Sequence, residues 1–493
     1  MKKLFIGFIT LIFLLSGCHS DRQSAEDTQI HLSDNSITVD GREISNDPSQ
    51  AVYAGRDIVF YLSGQGFTYG EGTKQDEHAQ SEADAHTVVH IGKPGRYVLS
   101  GKLSLGQIAI DLGKDAQDDP EAVVTLVLNG VDITCTVAPA VIFYNVYECG
   151  SRDEKSASKE VDTTKAGANV IIADGTENNI TGSYVAKIYK SYELNEDGTK
   201  LTDSKKLHKY DGAFYAKQTM NINGGDKGTG VLNIHAENEG LDTELHLTIN
   251  GGIINITSGN DGINTNEDNV SVTTINGGTL NILCDGRSGE GDGIDSNGWL
   301  VINGGAVTAQ ACSSSNDAGI DSDKGIYING GKVMATGNML DHIAGGNQTY
   351  AVFSFTDRQK GGNTYTLKNS AGEAIGVYAP ANDFSFLIVA GDELAADSYT
   401  FWQGQTQLSG RPATAMQGGI PQGGRPGMPN NGQGTPPEPP EGMARPDMPE
   451  GMMPPANGGA MPGENKLPGG EASTTFPFAN GGNYFTAVGP VAS

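Results

Sequence analysis

Basic residues are scarce in this 493-residue sequence: 32 Lys and Arg stand against 59 Asp and Glu, a formal net charge of −27. That deficit argues against nucleic acid and anionic lipid as partners reached by charge, and favours cations or ligands reached through cations. Cysteine is scarce too, five in all, with no Cys-x-x-Cys or Cys/His spacing of a zinc site. No Asp-x-Asp-x-Asp-Gly…Glu loop occurs, so there is no EF-hand. No leucine-rich pattern is present. Beyond the first residues, no segment is apolar enough to span a bilayer.

What is present is a repeat. Ile-Asn-Gly-Gly begins at Ile222, Ile249, Ile275, Ile302 and Ile328, at intervals of 27, 26, 27 and 26 residues. A fixed period of this size means stacked units, and it is too short for a propeller blade or a helical pair. Around it, Ile, Val, Leu and Thr alternate with Asn, Gly and Asp, as in strands joined by tight turns. The fold expected is all-β: a right-handed parallel β-helix, one coil per repeat, with small β caps and a disordered Pro/Gly/Met-rich C-terminal tail. In the unit 293–309, Leu300 and Ile302 share one strand face, and Val307 and Ala309 share the next. Asn-Gly-Gly supplies the corner, because Gly accepts positive φ and Asn tolerates it. Coils about 4.8 Å apart would stack Asn223, Asn250, Asn276, Asn303 and Asn329 into one ladder. A hydrogen-bonded corner ladder is the first reading of these asparagines, and polar ligand binding the second.

Residues 1–17 read as a lipoprotein signal peptide: Lys2 and Lys3, an apolar run from Leu4 to Leu15, then Leu15-Ser16-Gly17-Cys18. Processing would leave Cys18 lipid-bearing and hold the protein to a membrane surface without crossing it, at a bacterial cell surface. Loss of Lys2 and Lys3 would take the charge from −27 to −29. Residues 18–50 read as a tether and 51–87 as an N-terminal β cap. Residues 88–349 hold the coils, with an insertion at 148–210 whose charged stretches are 148–165 and 183–210. Residues 350–410 form a C-terminal β cap and 411–493 the tail, where no core can be built from Pro, Gly and Met. Cys135, Cys149, Cys284 and Cys312 remain after Cys18. Cys284 and Cys312 could bridge adjacent coils or stay as buried thiols.

A second motif travels with the first: Glu239-Gly240-Leu241-Asp242, Asp261-Gly262-Ile263-Asn264, Asp292-Gly293-Ile294-Asp295 and Ala318-Gly319-Ile320-Asp321. Stacked coils would line up Asp242, Asn264, Asp295 and Asp321 outward, beside inward Leu241, Ile263, Ile294 and Ile320. Glu239, Asp261 and Asp292 would form a second line. Like charges about 5 Å apart repel by roughly 3 kcal/mol per pair at an effective dielectric of 20. A divalent cation would offset this, and carboxylates, Asn oxygens and backbone carbonyls are the hard ligands that Ca²⁺ takes. Asp317 and Asp323 add oxygen nearby. A solvated acidic turn region without an ion is the bland alternative.

The chain resembles a bacterial carbohydrate-binding parallel β-helix family. The resemblance rests on Gly95-Arg96-Tyr97-Val98-Leu99-Ser100-Gly101, Leu126-Val127-Leu128-Asn129-Gly130-Val131, Asp211-Gly212-Ala213-Phe214-Tyr215, the Asp-Gly-Ile turns and the strands after Tyr350, over roughly 55–410. It implies a calcium-bearing coil that binds polysaccharide, acidic polysaccharide included, and no known cleavage. Family calcium sites would map to Asp242, Asp261, Asn264, Asp292, Asp295 and Asp321. The 148–210 insertion departs from the pattern. Trp299 and Tyr327, with Tyr350 and Trp402, are candidate sugar-stacking residues, each also readable as packing. A calcium-dependent pectate-type lyase is the second reading, with Lys217, Lys324 or Lys332 as its base. An adhesive surface protein is the third. A monomer is expected in each case.

Overall fold

The structure, a computed structural model, describes residues 27–62, 70–71, 74–195, 197–199, 201–413 and 471–491. The expected signal segment, Cys18 and residues 414–470 of the expected tail lie outside the described residues. Among the described residues the chain is all-β. Helix is confined to the single turn Gln80–Ala83 and the 3-10 turn Ala116–Asp118. The pairing is mixed, parallel through the middle of the chain and antiparallel towards both ends.

Three parallel ladders carry the repeat. The first runs through Met220–Gly224, Leu247–Ile249, Val272–Ile275, Trp299–Ile302 and Ile326–Ile328. The second runs through Glu177–Gly182, Val231–Ala236, Ile253–Ser258, Thr279–Cys284, Ala306–Gln310 and Lys332–Gly337. The third runs through Gly106–Asp111, Val141–Asn145, Gly212–Ala216, Glu239–Thr243, Ile263–Thr265 and Ile294–Ser296. The register follows the repeat: Ile222, Ile249, Ile275, Ile302 and Ile328 stack directly and are fully buried. Each such side chain contributes about 1.5–3 kcal/mol relative to exposure. Branched residues suit this place, because a pleated strand packs their stiff side chains against the same residue one coil away.

The corner behaves as its sequence implies. The second Gly of the last four repeats takes positive φ, as at Gly305 with φ +83°. A Cβ on Gly305 would also lie 2.8 Å from the carbonyl oxygen of Gly278 in the coil before. The Asn ladder is complete. Nδ2 of Asn250, Asn276, Asn303 and Asn329 each donates to Oδ1 of the preceding rung at 2.8–2.9 Å. A second amide ladder lies on the second sheet, where Asn233, Asn255 and Asn281 each donate to the rung before, beginning at Asn179.

The structure moves several boundaries. Thr28–Leu32, expected in the tether, pairs in parallel with Gly95–Leu103 and buries Ile30 and Leu32. Its alternation of polar and apolar residues covers an edge that would otherwise template association. The 148–210 insertion is two separate pieces. Ala168–Ile172 and Glu177–Gly182 between them are ladder strands, with Val170, Ile172 and Ile180 in the core. Residues 148–165 form an arm, and Val185–Leu194 with Leu201–Tyr210 form an antiparallel hairpin. At the far end, residues 471–491 fall in the expected tail, yet Gly482–Pro490 pairs with Tyr350–Gln359 and Thr406–Ala413. Phe476, Phe478, Phe485 and Val488 give this segment the core that the Pro/Gly stretch cannot supply. Cys135, Cys149, Cys284 and Cys312 are free thiols. Register pairs Leu283 with Gln310, which sets Cys284 beside Ala311 rather than Cys312.

Candidate functional site

The third ladder brings the acidic motif together. Leu241, Ile263, Ile294 and Ile320 form a buried column. Next to it, Asp242, Asn264 and Asp295 stand in register, with Asp321 following Ile320. The sequence places these groups outward, on the side away from the apolar column. They are buried, with Asp242 at 0%, Asn264 at 7% and Asp295 at 5% exposure. Residues of the neighbouring rung bond them: Asn266 Nδ2, just past the end of the next strand, donates to Asp242 Oδ1, and Asn264 Nδ2 donates to Glu239 Oε1 at 3.1 Å.

The second acidic line forms as well. The backbone N–H of Asp292 donates to Asp261 Oδ1 at 2.7 Å, and that of Ala318 to Asp292 Oδ1 at 2.6 Å. Asp317 accepts from the Gly291 N–H at 2.6 Å and from the Ser315 hydroxyl. The two lines converge where Asp261, Asp292 and Asp295, all buried, bring carboxylate oxygens within 4.8 Å of one another. Burial pushes the Asp292 carboxyl well above its usual range, and the charges of Asp261, Asp295, Asp321 and Asp317 push further. Asn264, one rung from Asp295, has a buried Oδ1 that meets no hydrogen-bond donor among the described residues. Buried acceptors without donors are rare in folded proteins. Three acids and an unpaired amide oxygen form an oxygen-only donor set, which fits a hard divalent cation such as Ca²⁺.

A second acidic group sits one rung further on. Burial and then Asp341 push Asp321 up to about 7, and burial raises Asp341 too. Asp341 Oδ2 also accepts from the Ser322 N–H at 3.0 Å. Exposed Asp323 adds its charge to both. Asp341 was invisible to motif reading, because it lies in a loop outside the repeat. The second amide ladder was legible: Leu232-Asn233-Ile234, Ile254-Asn255-Ile256 and Leu280-Asn281-Ile282 recur near the same period.

The aromatic candidates separate. Tyr350 is buried and its hydroxyl meets that of Tyr484 at 2.9 Å, so it packs between elements. The Trp402 indole carries the Lys368 ammonium 4.7 Å from its centroid. Trp299 is half-buried. Tyr327, also half-buried, lines a pocket of ≈ 310 Å³. Among the lysines, Lys332 pairs with Glu393 at 3.1 Å and Lys324 with Glu154 at 3.9 Å. Lys217 lies on the coil after Gly212–Ala216, where its N–H donates to the Phe143 carbonyl.

A family model described as carbohydrate-binding domain-containing protein matches residues 85–351, the segment that holds the three ladders. A carbohydrate-binding domain-containing protein of Acetivibrio thermocellus is 32% identical over 169 residues, 34% of this chain and 44% of that protein. The chain therefore spans less than half the length of that relative. A solved polysaccharide lyase-like protein from C. thermocellum, a gadolinium derivative, covers 65% of this chain and 99% of its own, at 20% identity and a TM-score of 0.32.

Proposed function

This chain belongs to the carbohydrate-binding domain-containing family, and from that premise we propose that it binds polysaccharide on the outer surface of a calcium-stabilised parallel β-helix. The observation that carries the reading is the regular face. One row of hydrogen-bonded amides follows the corner after the first ladder and another runs along the second ladder, each with one rung per repeat, about 4.8 Å apart. Such a row suits a linear polymer, whose hydroxyl groups also recur at a fixed interval. The stacked register of three ladders, each taking one strand per repeat, supports closure into a β-helix, and the resemblance implies the right hand.

The cation belongs to Asp261, Asp292 and Asp295, with Asn264 beside them and Asp242 one rung on. Asp317, Asp321 and Asp323 supply further charge. When bound, Ca²⁺ would offset the repulsion among these carboxylates and stiffen three consecutive coils. Because the three acids are buried, this role is structural, and the ion would act on ligand binding through the shape of the face. Cys18, if lipidated, would hold the monomer to a membrane surface; a Cys18→Ala variant appearing in the soluble fraction tests that.

The deciding experiment is a glycan screen with and without EDTA. Binding that weakens with chelator supports the proposal. No binding to any plant, host or cell-wall glycan would sink it. The lyase reading has less support, since Lys324 and Lys332 already face carboxylates of other segments. Sustained release of unsaturated uronate from polygalacturonate would reject a binding-only role.

A further inference from the structure

The arm of residues 148–165 is fastened at both ends. At its start, Thr219 donates to Glu148 through its N–H and its hydroxyl, each at 2.7 Å, and the Gly150 N–H donates to the same carboxylate at 2.6 Å. His246 then receives the Val272 N–H on Nδ1 at 3.1 Å and donates from Nε2 to the Ser151 carbonyl at 3.0 Å. At its end, the Thr163 hydroxyl bonds that of Thr248 at 2.8 Å, and Asn221 Nδ2 donates to the Thr163 carbonyl at 2.7 Å. Between these points the arm crosses the outer face of the first ladder. Lys159 lies over the Tyr327 ring, 5.1 Å from its centroid.

The arm turns a flat face into a cleft. Its floor is Val301 and Tyr327, one wall is Lys159 and Glu160, and the other is the amide ladder at Asn276, Asn303 and Asn329. These amides are exposed, so the ladder is not explained by burial of polar groups. Each spends one N–H on the preceding rung. The second N–H has no acceptor among the described residues, since an amide nitrogen carries two. Asn329 is the last rung, and its oxygen has no following amide to satisfy it. Aligned amides polarise one another, which strengthens the free donors and this terminal acceptor.

We propose that this cleft is the glycan subsite, and that it takes a neutral, hydroxyl-rich sugar chain stacked on Tyr327 and hydrogen-bonded along Asn276, Asn303 and Asn329. The proposal rests on the polysaccharide-binding reading and adds its location and ligand class. Neutrality follows from charge. Lys159 and Glu160 are ion-paired with each other across the cleft wall, so the lining presents no net charge. A chain of net charge −27 repels a polyuronate, and the acids that would hold a cation are buried and are not among the residues lining this cleft. The Tyr327 face is covered by a single half-buried lysine, a cation–π contact that a sugar ring can displace.

The test is calorimetry on the full chain in calcium, with cellohexaose, xylohexaose and hexagalacturonate as probes. A neutral hexasaccharide should bind, Tyr327→Phe should retain that binding, and Tyr327→Ala should weaken it about tenfold. Lys159→Ala, on the exposed arm, should tighten binding about two- to fivefold, because it uncovers the ring. Wild-type affinity in both Tyr327→Ala and Lys159→Ala would overturn the subsite while leaving polysaccharide binding intact. Binding of hexagalacturonate alone would overturn the neutral class. No binding of any probe by the wild type would remove the polysaccharide reading along with the subsite.

Discussion

Replacing Asp292 by Asn should change the sign of its effect with calcium. The carboxylate oxygens of Asp261, Asp292 and Asp295 lie within 4.8 Å of one another. At an effective dielectric of 20 each charged pair then repels by roughly 3 kcal/mol, and three pairs by about 10 kcal/mol. That sum is comparable to the whole stability of a typical domain, about 5–15 kcal/mol. Without a cation, burial and the neighbouring charges favour proton uptake at Asp292. Proton uptake removes part of the repulsion, so Asp292→Asn should stabilise the calcium-free protein by about 1–3 kcal/mol. Asparagine keeps the Oδ1 that accepts the Ala318 N–H, so little else is disturbed. In calcium the same substitution removes a charged ligand. Saturating ligand at about a thousandfold over Kd stabilises by roughly 4 kcal/mol, and the variant should forfeit most of it. Scanning calorimetry of both proteins at pH 7, in calcium and in EDTA, reads the two midpoints. The curves should cross: wild type melts higher in calcium, and the variant melts higher in EDTA. A wild-type midpoint indifferent to EDTA, with the variant less stable in both buffers, would refute the reasoning.

Other consequences are simpler to measure. Gly305→Ala forces a side chain into φ +83° and against the Gly278 carbonyl, and should destabilise by more than 1 kcal/mol in urea titration. Asn303→Ala removes both ladder bonds made by that rung and should lose about 1–2 kcal/mol by the same titration. Ile275→Ala opens a cavity in the central column and should cost about 2–5 kcal/mol. In EDTA, Asp321 is raised to about 7 by burial and by Asp341. Its proton is held in the folded state and lost in the unfolded state above pH ~4, so its contribution is full below that and falls as pH rises through 7. Melting curves from pH 5 to 8 should show this decline in wild type and a shallower one in Asp321→Asn.

The parallel ladders were legible because the repeat constrains every level at once. Ile at a fixed interval faces inward on each strand, Gly turns the corner, and the Asn between them bonds its own copy in the neighbouring repeat. That is why the isoleucine column and the Asn223–Asn329 ladder appear in the sequence itself. Outside the repeat, composition misled: residues 28–32 look polar and residues 471–491 follow a Pro-rich stretch, yet their alternating Ile30 and Leu32, and Phe485 and Val488, seal exposed edges. No local feature distinguishes such an edge strand from a tether, because its partner is a strand far away in sequence.

The acidic motif shows the same division. Its period set which acids share a column, and so predicted that Asp242, Asn264 and Asp295 would stand in register. Their burial was decided by the tertiary packing around the third ladder, as was the approach of Asp261 to Asp292 and Asp295. Asp341 joins Asp321 from a loop without any repeat signal. The cleft at Tyr327 exists only because Glu148, His246 and Thr163 fasten the arm across coils that lie up to roughly 180 residues downstream in sequence. Sequence alone determined the scaffold, since one short motif copied five times can pack in few ways. Tertiary structure decided what the scaffold exposes, because exposure depends on which distant segment covers which face.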